Sequence, residues 1–202
     1  MLRKQLDKIL IGAGCLLLAI ALWLHYDGKV QQERLVADYN LLVANLADEE
    51  DEPAADPVPD SGAHSNVLAV LSIPKLDLIV AVQEGVDQHI LNYALGHFPQ
   101  TALPGEVGNF AVIGHRNYAR GQFFNRLGEI DVGDEVIVKR ASQEYVYQVT
   151  QTFIVTPDET SVLDATSGAE ITLVTCAPPR RSTHRLIVKG VLVEQSGTNP
   201  TE

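Results

Sequence analysis

The chain has 202 residues, which is enough for one domain of ordinary size with an appendage. Apolar residues make up 46% and charged residues 20%, a balance that supports a packed core and excludes a wholly disordered chain. The formal net charge of −11 argues against nucleic acid as a partner, because phosphate binding needs clustered Lys and Arg.

An apolar run at the N-terminus predicts a membrane-spanning helix. It covers residues 9–26 (ILIGAGCLLLAIALWLHY), within the roughly 17–25 residues that cross a bilayer. More basic than acidic residues precede it, which keeps the N-terminus cytoplasmic. A cleaved signal peptide is the alternative, because Ala19-Ile20-Ala21 is a small-x-small triplet, but the run stays apolar beyond it. We expect residues 1–26 to be a cytoplasmic tip and single-pass anchor, with the folded domain extracellular.

A stalk and a linker are predicted after the anchor. Apolar side chains recur at helical spacing, at Leu35, Tyr39, Leu42 and Leu46. The run at 48–60 (DEEDEPAADPVPD) is acidic and proline-bearing, so it cannot pack and reads as an extended linker. A calcium site there is disfavoured, since it has no Gly-turned ligand loop. We therefore assign residues 27–66 to a helical stalk and linker.

From residue 67 onward the pattern is mainly β. Short β-rich runs separated by turn residues occur at 67–73, 78–82, 109–114, 135–139, 145–155, 171–175 and 185–193. A short helix is predicted over 87–95, and imperfect alternation in 145–155 predicts a bulge. Seven or eight strands with little helix predict a closed or nearly closed barrel, with a sandwich less favoured. Residues 194–202 are expected to form a polar tail.

Cys176 is the candidate nucleophile. The chain's other cysteine, Cys15, lies in the apolar run, so Cys176 has no partner for a disulfide in the rest of the chain. It ends a predicted buried strand, and Arg180, Arg181, His184 and Arg185 follow it. Positive charge nearby stabilises a thiolate, the reactive form of a cysteine. The alternative is a buried, inert cysteine that acts as a small apolar residue.

A cysteine nucleophile also needs a proton donor for the leaving amine, which is normally a histidine. His115 ends the predicted strand NFAVIG, in the same way as Cys176 ends its own strand. His184 lies in the loop after Cys176 and is a second candidate, whereas His97 and His89 are interpreted as structural or surface residues. Spacing alone leaves this choice open. No zinc site is expected, because the cysteine and histidines lack ligand spacing.

Several segments resemble the motifs of one known family. TLVTC at 172–176 resembles the TLxTC signature of sortases, and Arg185 resembles the arginine that these enzymes carry before an apolar strand. IGHRN at 113–117 resembles the family's histidine motif. LSIPKLDL at 71–78 and ALPGEVGN at 102–109 resemble its first strands and the loop before the histidine strand. The resemblance covers residues 67–193, the expected catalytic domain.

The resemblance implies an eight-stranded closed sortase-type β-barrel and a cysteine transpeptidase without a cofactor. It implies cleavage of an LPxTG-like sorting signal between Thr and Gly, followed by transfer of the acyl group to an amine of a cell-wall precursor or a pilin lysine. Cys176 takes the role of nucleophile, His115 that of acid and base, and Arg185 that of substrate and oxyanion contact. Thr175 takes a supporting, substrate-binding position beside the cysteine.

The subclass and two other functions remain open at this stage. SIPKLDL and GHRNYARGQFFNRL are most similar to class D sortases, and THRLIVKG to the pilin-polymerising class C. Asp56-Pro57-Val58 lacks the aromatic of a class C lid, and the chain ends in the polar EQSGTNPTE, so class D is favoured. An L,D-transpeptidase is disfavoured because Val174-Thr175 precedes Cys176 instead of a Ser-x-Gly motif. A membrane-anchored β-barrel that binds a partner without catalysis is the alternative from another class.

Overall fold

The computed structural model describes residues 8, 11–20, 30, 33–41, 67–116, 123–179 and 182–197. Backbone at 11–20 and 33–41 is helical. Within the described ranges, no helix combines the length and apolar character that crossing a bilayer requires. The other positions of the expected anchor, and the whole acidic run at 48–60, lie outside the described residues.

Eight β-strands make up the body of the described chain. They are β1 (Val67–Ile73), β2 (Leu78–Glu84), β3 (Leu95–His97), β4 (Gly108–Ile113), β5 (Glu135–Arg140), β6 (Gln143–Val155), β7 (Ala169–Ala177) and β8 (His184–Ser196). One four-residue helix, α1, covers Gln88–Leu91. Three single 3-10 turns lie in the connections, at Pro74–Leu76, Leu127–Glu129 and Ser161–Leu163.

The strands close into a barrel in the order β1-β2-β3-β4-β7-β8-β6-β5, and β5 pairs back onto β1. Neighbouring strands are antiparallel except for the parallel pairs β2/β3 and β4/β7. The predicted mainly β, eight-stranded closed barrel is therefore confirmed. The sandwich alternative is wrong, because a continuous ring of strand pairs does not divide into two facing sheets.

Two kinds of strand pattern reflect two kinds of environment. β4 is almost entirely buried, as is typical of a parallel strand whose two faces are both covered. Antiparallel β6 alternates instead, with Tyr145, Tyr147 and Val149 directed into the core. Its register against β8 shifts at two places, which confirms the predicted bulge.

Two element boundaries differ from the prediction. The helix expected over 87–95 covers only four residues, because Leu95–His97 pairs with β2 and β4 as β3 and becomes buried. At the other end, β8 continues to Ser196, since its last residues pair with Glu144 and Tyr145 of β6. The folded domain thus extends beyond residue 193, and the predicted tail at 194–202 begins inside the sheet.

The stalk helix packs on the barrel. Leu35 is 5% exposed and packs with Ala81 of β2 and Ala94 after α1. The backbone N–H of Ala141 donates to the hydroxyl of Tyr39 at 2.7 Å. Part of the predicted stalk therefore belongs to the folded unit, whereas Leu42 and Leu46 lie outside the described residues.

Candidate active site

Three neighbouring strands end at one rim of the barrel and carry the predicted catalytic residues. The backbone N–H of Gly114 donates to the carbonyl oxygen of Val174 at 3.1 Å, which continues the parallel pairing of β4 with β7. Extending this register by two residues beyond its last pair, Ile113 with Val174, sets His115 beside Cys176. On the other side of β7, Arg185 of β8 is the direct cross-strand partner of Cys176. The structure therefore brings all three residues into one row.

The alternation of side chains places this row on the outer face of the barrel. Along β7, Ile171 and Leu173 belong to the barrel core, so Cys176 projects from the opposite face. On the same outer face, Val174 and Ile187 form an apolar cluster below the row. Cys176 is a free, half-buried cysteine and is not sealed in the interior. The interpretation of Cys176 as an inert core residue is thus disfavoured.

Arg116 is a cation that the sequence analysis did not assign. Its Nη1 donates to the carbonyl oxygen of Cys176 at 3.3 Å, from the position directly after His115. A Cβ at Gly128 would lie 2.8 Å from Nη2 of Arg116, so this glycine leaves room for the guanidinium. Arg116 thus holds the backbone of the nucleophile. Its signal in the sequence is its place inside the GHR motif.

His115 is half-buried at the end of β4. Burial lowers the pKa of His115 from its usual value, because a charged imidazolium loses solvation there. The side chain of Gln88, on α1, lies 3.0 Å from Nε2 of the ring. This contact was missed because Gln88 is distant in the chain and carries no motif.

Thr175 occupies a different place from the one expected. The residue is fully buried, and its hydroxyl donates to the carbonyl oxygen of Gly114 at 2.7 Å. A fully buried hydroxyl does not contact a peptide bound outside. The structure therefore gives Thr175 the role of tying β7 to the residue before His115, in place of the substrate contact that the resemblance implied.

Arg185 is held by the turn that precedes it. Its Nη1 donates to the carbonyl oxygens of Ser182 at 3.1 Å and His184 at 3.0 Å. Ser182 adopts a left-handed conformation with φ of 45°. The guanidinium is thus directed onto its own turn, one strand away from Cys176. Arg180 and Arg181, the other basic residues of this loop, lie outside the described residues.

His97 and His184 contact other residues. The ring of His97 is buried, with Nδ1 2.7 Å from a carboxylate oxygen of Glu84 and Nε2 3.1 Å from the carbonyl oxygen of Ala102. These contacts confirm that His97 is structural. His184 precedes Arg185 on β8, so its side chain projects from the opposite face of the strand to Arg185.

The long connection between β6 and β7 lies over the outer apolar cluster. Val162, from its 3-10 turn, packs on Val174 and Ile187. The side-chain amide of buried Asn109 donates to the carbonyl oxygens of Val162 at 2.9 Å and Asp164 at 3.2 Å. The β6–β7 connection, residues 156–168, is thus fastened to β4 at its midpoint.

A cleft of about 470 Å³ opens between this loop and the segment after β3. Its lining consists of Phe98, Pro99, Gln100, Thr101, Thr160, Leu163, Asp164 and Ala165. Phe98 and Leu163 also pack against the outer apolar cluster, so the cleft continues the surface below Cys176. The rim of the barrel therefore offers a reactive row with a cleft of mixed polar and apolar lining beside it.

Comparison with known proteins gives one consistent family. The Sortase domain family model matches residues 71–193. The chain is 32% identical to Sortase SrtE1 of Streptomyces coelicolor over 95% of this chain and 57% of that protein. It is 31% identical to Sortase D of Bacillus subtilis over 59% of this chain and 58% of that protein. It thus spans less than two thirds of the length of both relatives.

Solved structures agree with this assignment. The barrel superposes on the crystal structure of sortase E1 from Streptomyces coelicolor with a tripeptide in its active site. The TM-score is 0.61 at 31% identity, over 68% of this chain and 94% of that chain. The chain therefore belongs to the sortase family.

Proposed function

We propose that this protein is a cysteine transpeptidase that cleaves an LPxTG-like sorting signal between Thr and Gly. The acyl group passes to an amine of a cell-wall precursor. The observation that carries this proposal is the outer-face row of His115, Cys176 and Arg185, formed by three adjacent strand ends. A non-catalytic binding barrel has no need for this combination of a thiol, an imidazole and a guanidinium.

The first half-reaction forms an acyl-enzyme. The thiolate of Cys176 attacks the threonyl carbonyl carbon, and the carbonyl electron pair moves onto oxygen. Arg185 leaves the carbonyls of its own turn and stabilises this oxyanion, since a guanidinium keeps its charge at working pH. The C–N bond then breaks, and imidazolium His115 gives a proton to the leaving glycyl amine. A thioester on Cys176 remains.

The second half-reaction reverses these roles. The acceptor amine attacks the thioester carbonyl, and neutral His115 takes the proton that the amine loses. The C–S bond breaks, the new amide leaves, and the thiolate–imidazolium pair returns. The cleft beside the row offers apolar contacts to the Leu and Pro of the signal through Phe98 and Leu163. Class D-like attachment to the cell wall is preferred over pilin polymerisation, because Asp56-Pro57-Val58 lacks the aromatic residue of a class C lid.

We propose further that residues 9–26 anchor the chain in the cell membrane, with the barrel outside. The apolar run and its basic flank support this arrangement. Protease added to intact cells is then expected to remove the barrel while a membrane-bound N-terminal fragment persists. A barrel that is protected in intact cells and digested only after lysis would contradict the orientation.

The test of the proposed function is detection of the thioester. The full chain is incubated with LPxTG-type peptides, and intact mass is expected to rise by the peptide acyl group on Cys176. Adding hydroxylamine should release a hydroxamate, and acceptors bearing an N-terminal glycine or a lysine side chain separate the wall and pilin routes. Cys176→Ala abolishes the adduct, whereas Cys15→Ala keeps it and serves as the matched control. Peptide binding without adduct or cleavage would favour the binding barrel.

A further inference from the structure

Helix α1 places a glutamine against the catalytic histidine. The amide nitrogen of Gln88 lies 3.0 Å from Nε2 of His115 and 3.2 Å from Oδ1 of Asn92, one helical turn further along. A primary amide nitrogen carries two hydrogens, so it serves both acceptors at once. The side chain of Gln88 therefore bridges the helix and the imidazole.

The hydrogen bond selects one form of the ring. An amide nitrogen donates and does not accept, so Nε2 of His115 is the acceptor. In the neutral ring the proton then lies on Nδ1. Free histidine in water prefers the opposite tautomer, with the proton on Nε2. Asn92 keeps the amide of Gln88 in the donating orientation, because its Oδ1 accepts the second hydrogen.

We propose that Gln88 is a positioning residue for the transpeptidation reaction. At rest it donates to Nε2 and holds the ring of His115 as the Nδ1–H tautomer, so Nε2 is the nitrogen that takes up and gives back the proton, and the amide of Gln88 turns to accept from Nε2–H while His115 is imidazolium. The role in the reaction rests on the proposed function, whereas the tautomer rests only on the hydrogen bond.

The turn of the amide follows from donor and acceptor balance. Imidazolium carries hydrogens on both nitrogens, so its Nε2–H would oppose the amide nitrogen of Gln88. A 180° rotation of the terminal amide of Gln88 puts Oε1, which accepts a hydrogen bond, in the place of this nitrogen. The terminal amide of Asn92 can rotate in the same way. The ionisable residues on the segments around this point are Asp87, which precedes α1, His89 on α1, Arg116, Cys176 and Arg185.

Three variants separate the parts of this role. Gln88→Met keeps the length of the side chain and removes both polar atoms. Gln88→Glu keeps the shape but only accepts, so it favours imidazolium. His89→Ala changes the next residue of the same exposed helix and serves as the matched control. Gln88 is exposed, so these changes are expected to leave the fold intact.

Nitrogen NMR of the full chain labelled on histidine tests the hydrogen bond without any turnover. At alkaline pH, His115 in the wild type is expected to be the Nδ1–H tautomer. Gln88→Met should move its population toward Nε2–H, and Gln88→Glu should raise the pKa of His115. His89→Ala should change neither quantity. The resonances of His115 are assigned by their loss in His115→Gln.

Kinetics test the catalytic part. Gln88→Met is expected to lower kcat/KM about 3- to 10-fold, the rate equivalent of one neutral hydrogen bond, with the loss mainly in kcat. In Gln88→Glu, the acidic limb of the pH profile should move to higher pH together with the pKa measured by NMR.

The outcomes separate the two proposals. An unchanged tautomer and pKa of His115 in both Gln88 variants overturn this inference, even if the wild type cleaves peptide. NMR changes as expected with unchanged kinetics overturn the positioning role and leave the transpeptidase intact. NMR changes as expected in a wild type that forms no thioester overturn the proposed function, while the hydrogen bond itself stands.

Discussion

His115 presents a conflict between its environment and its proposed task. Burial lowers its pKa and favours the neutral ring, yet protonation of the leaving amine requires imidazolium. Because the neutral ring is favoured, only a fraction of the molecules carry a proton on the ring of His115 at neutral pH. We therefore expect turnover to be modest, because that fraction limits the active population.

The pH dependence of peptide cleavage follows from this lowered pKa. The kcat/KM is expected to be bell-shaped, with its acidic limb below pH about 6.5, the ordinary value for histidine. Below that limb the ring of His115 already holds its proton and cannot take one from the thiol. Initial rates from pH 4.5 to 10 measure the profile, and an acidic limb above 6.5 would contradict it.

At the scale of single residues, the motifs predicted which residues form the site but not where their side chains point. Cys176, His115 and Arg185 follow from the order of strand ends and the resemblance. The buried orientation of Thr175 depends on which face of β7 turns inward, and the resemblance did not determine this. The contact of Gln88 with His115 depends on how α1 meets the rim, which involves residues distant in sequence.

Among the elements, the β6–β7 connection depends on one amide. Asn109 donates to two carbonyls of this loop, and its own carbonyl accepts from the hydroxyl of Thr172 at 2.7 Å. These groups are buried or partly buried, so each lost bond leaves a polar atom without compensation. The loop is therefore fixed to the barrel through the side chain of Asn109.

Removing the hydrogen bonds of Asn109 to the β6–β7 connection is expected to weaken substrate affinity more than it slows the chemical step. Asn109→Ala should raise KM several-fold with a smaller change in kcat, because the loop borders the cleft and not the row. It should also lower stability by about 1–3 kcal/mol. Thr172→Val removes one bond but leaves both loop contacts of Asn109, so its KM should stay near that of the wild type. Equal effects of the two variants on KM would contradict this role.

Strands were predictable from the sequence where their side chains form one clear pattern, either continuously apolar or alternating. Strands β4, β6 and β7 matched their patterns because a buried or alternating run has one favourable placement. The short β3 was missed, since Leu95–His97 is a strand only by pairing with β2 and β4. Tertiary pairing overrides local helical preference there.

At the scale of the whole molecule, helix 33–41 packs against the barrel. Leu35 packs on Ala94, the residue that follows the turn at the end of α1, so the helix supports the same region that presents Gln88. A sequence pattern shows that Leu35 lies on an apolar face, but not what that face covers.

Leu35→Ala is expected to destabilise the full chain by about 2 kcal/mol, because it leaves a cavity under the helix. Leu41→Ala, at an exposed position of the same helix, should change stability by less than about 0.5 kcal/mol. Urea unfolding followed by intrinsic fluorescence measures both. Similar losses in the two variants would show that the helix does not depend on this contact.

The order of the strands has a consequence for how the chain folds during its synthesis. Cys176 and Arg185 come from β7 and β8, the last two strands of the described chain, and β7 must find β4 across more than fifty intervening residues. The ribosome therefore delivers the nucleophile late, and the barrel closes only when β8 enters between β7 and β6. A chain still missing that strand carries the thiol of Cys176 without the guanidinium of Arg185.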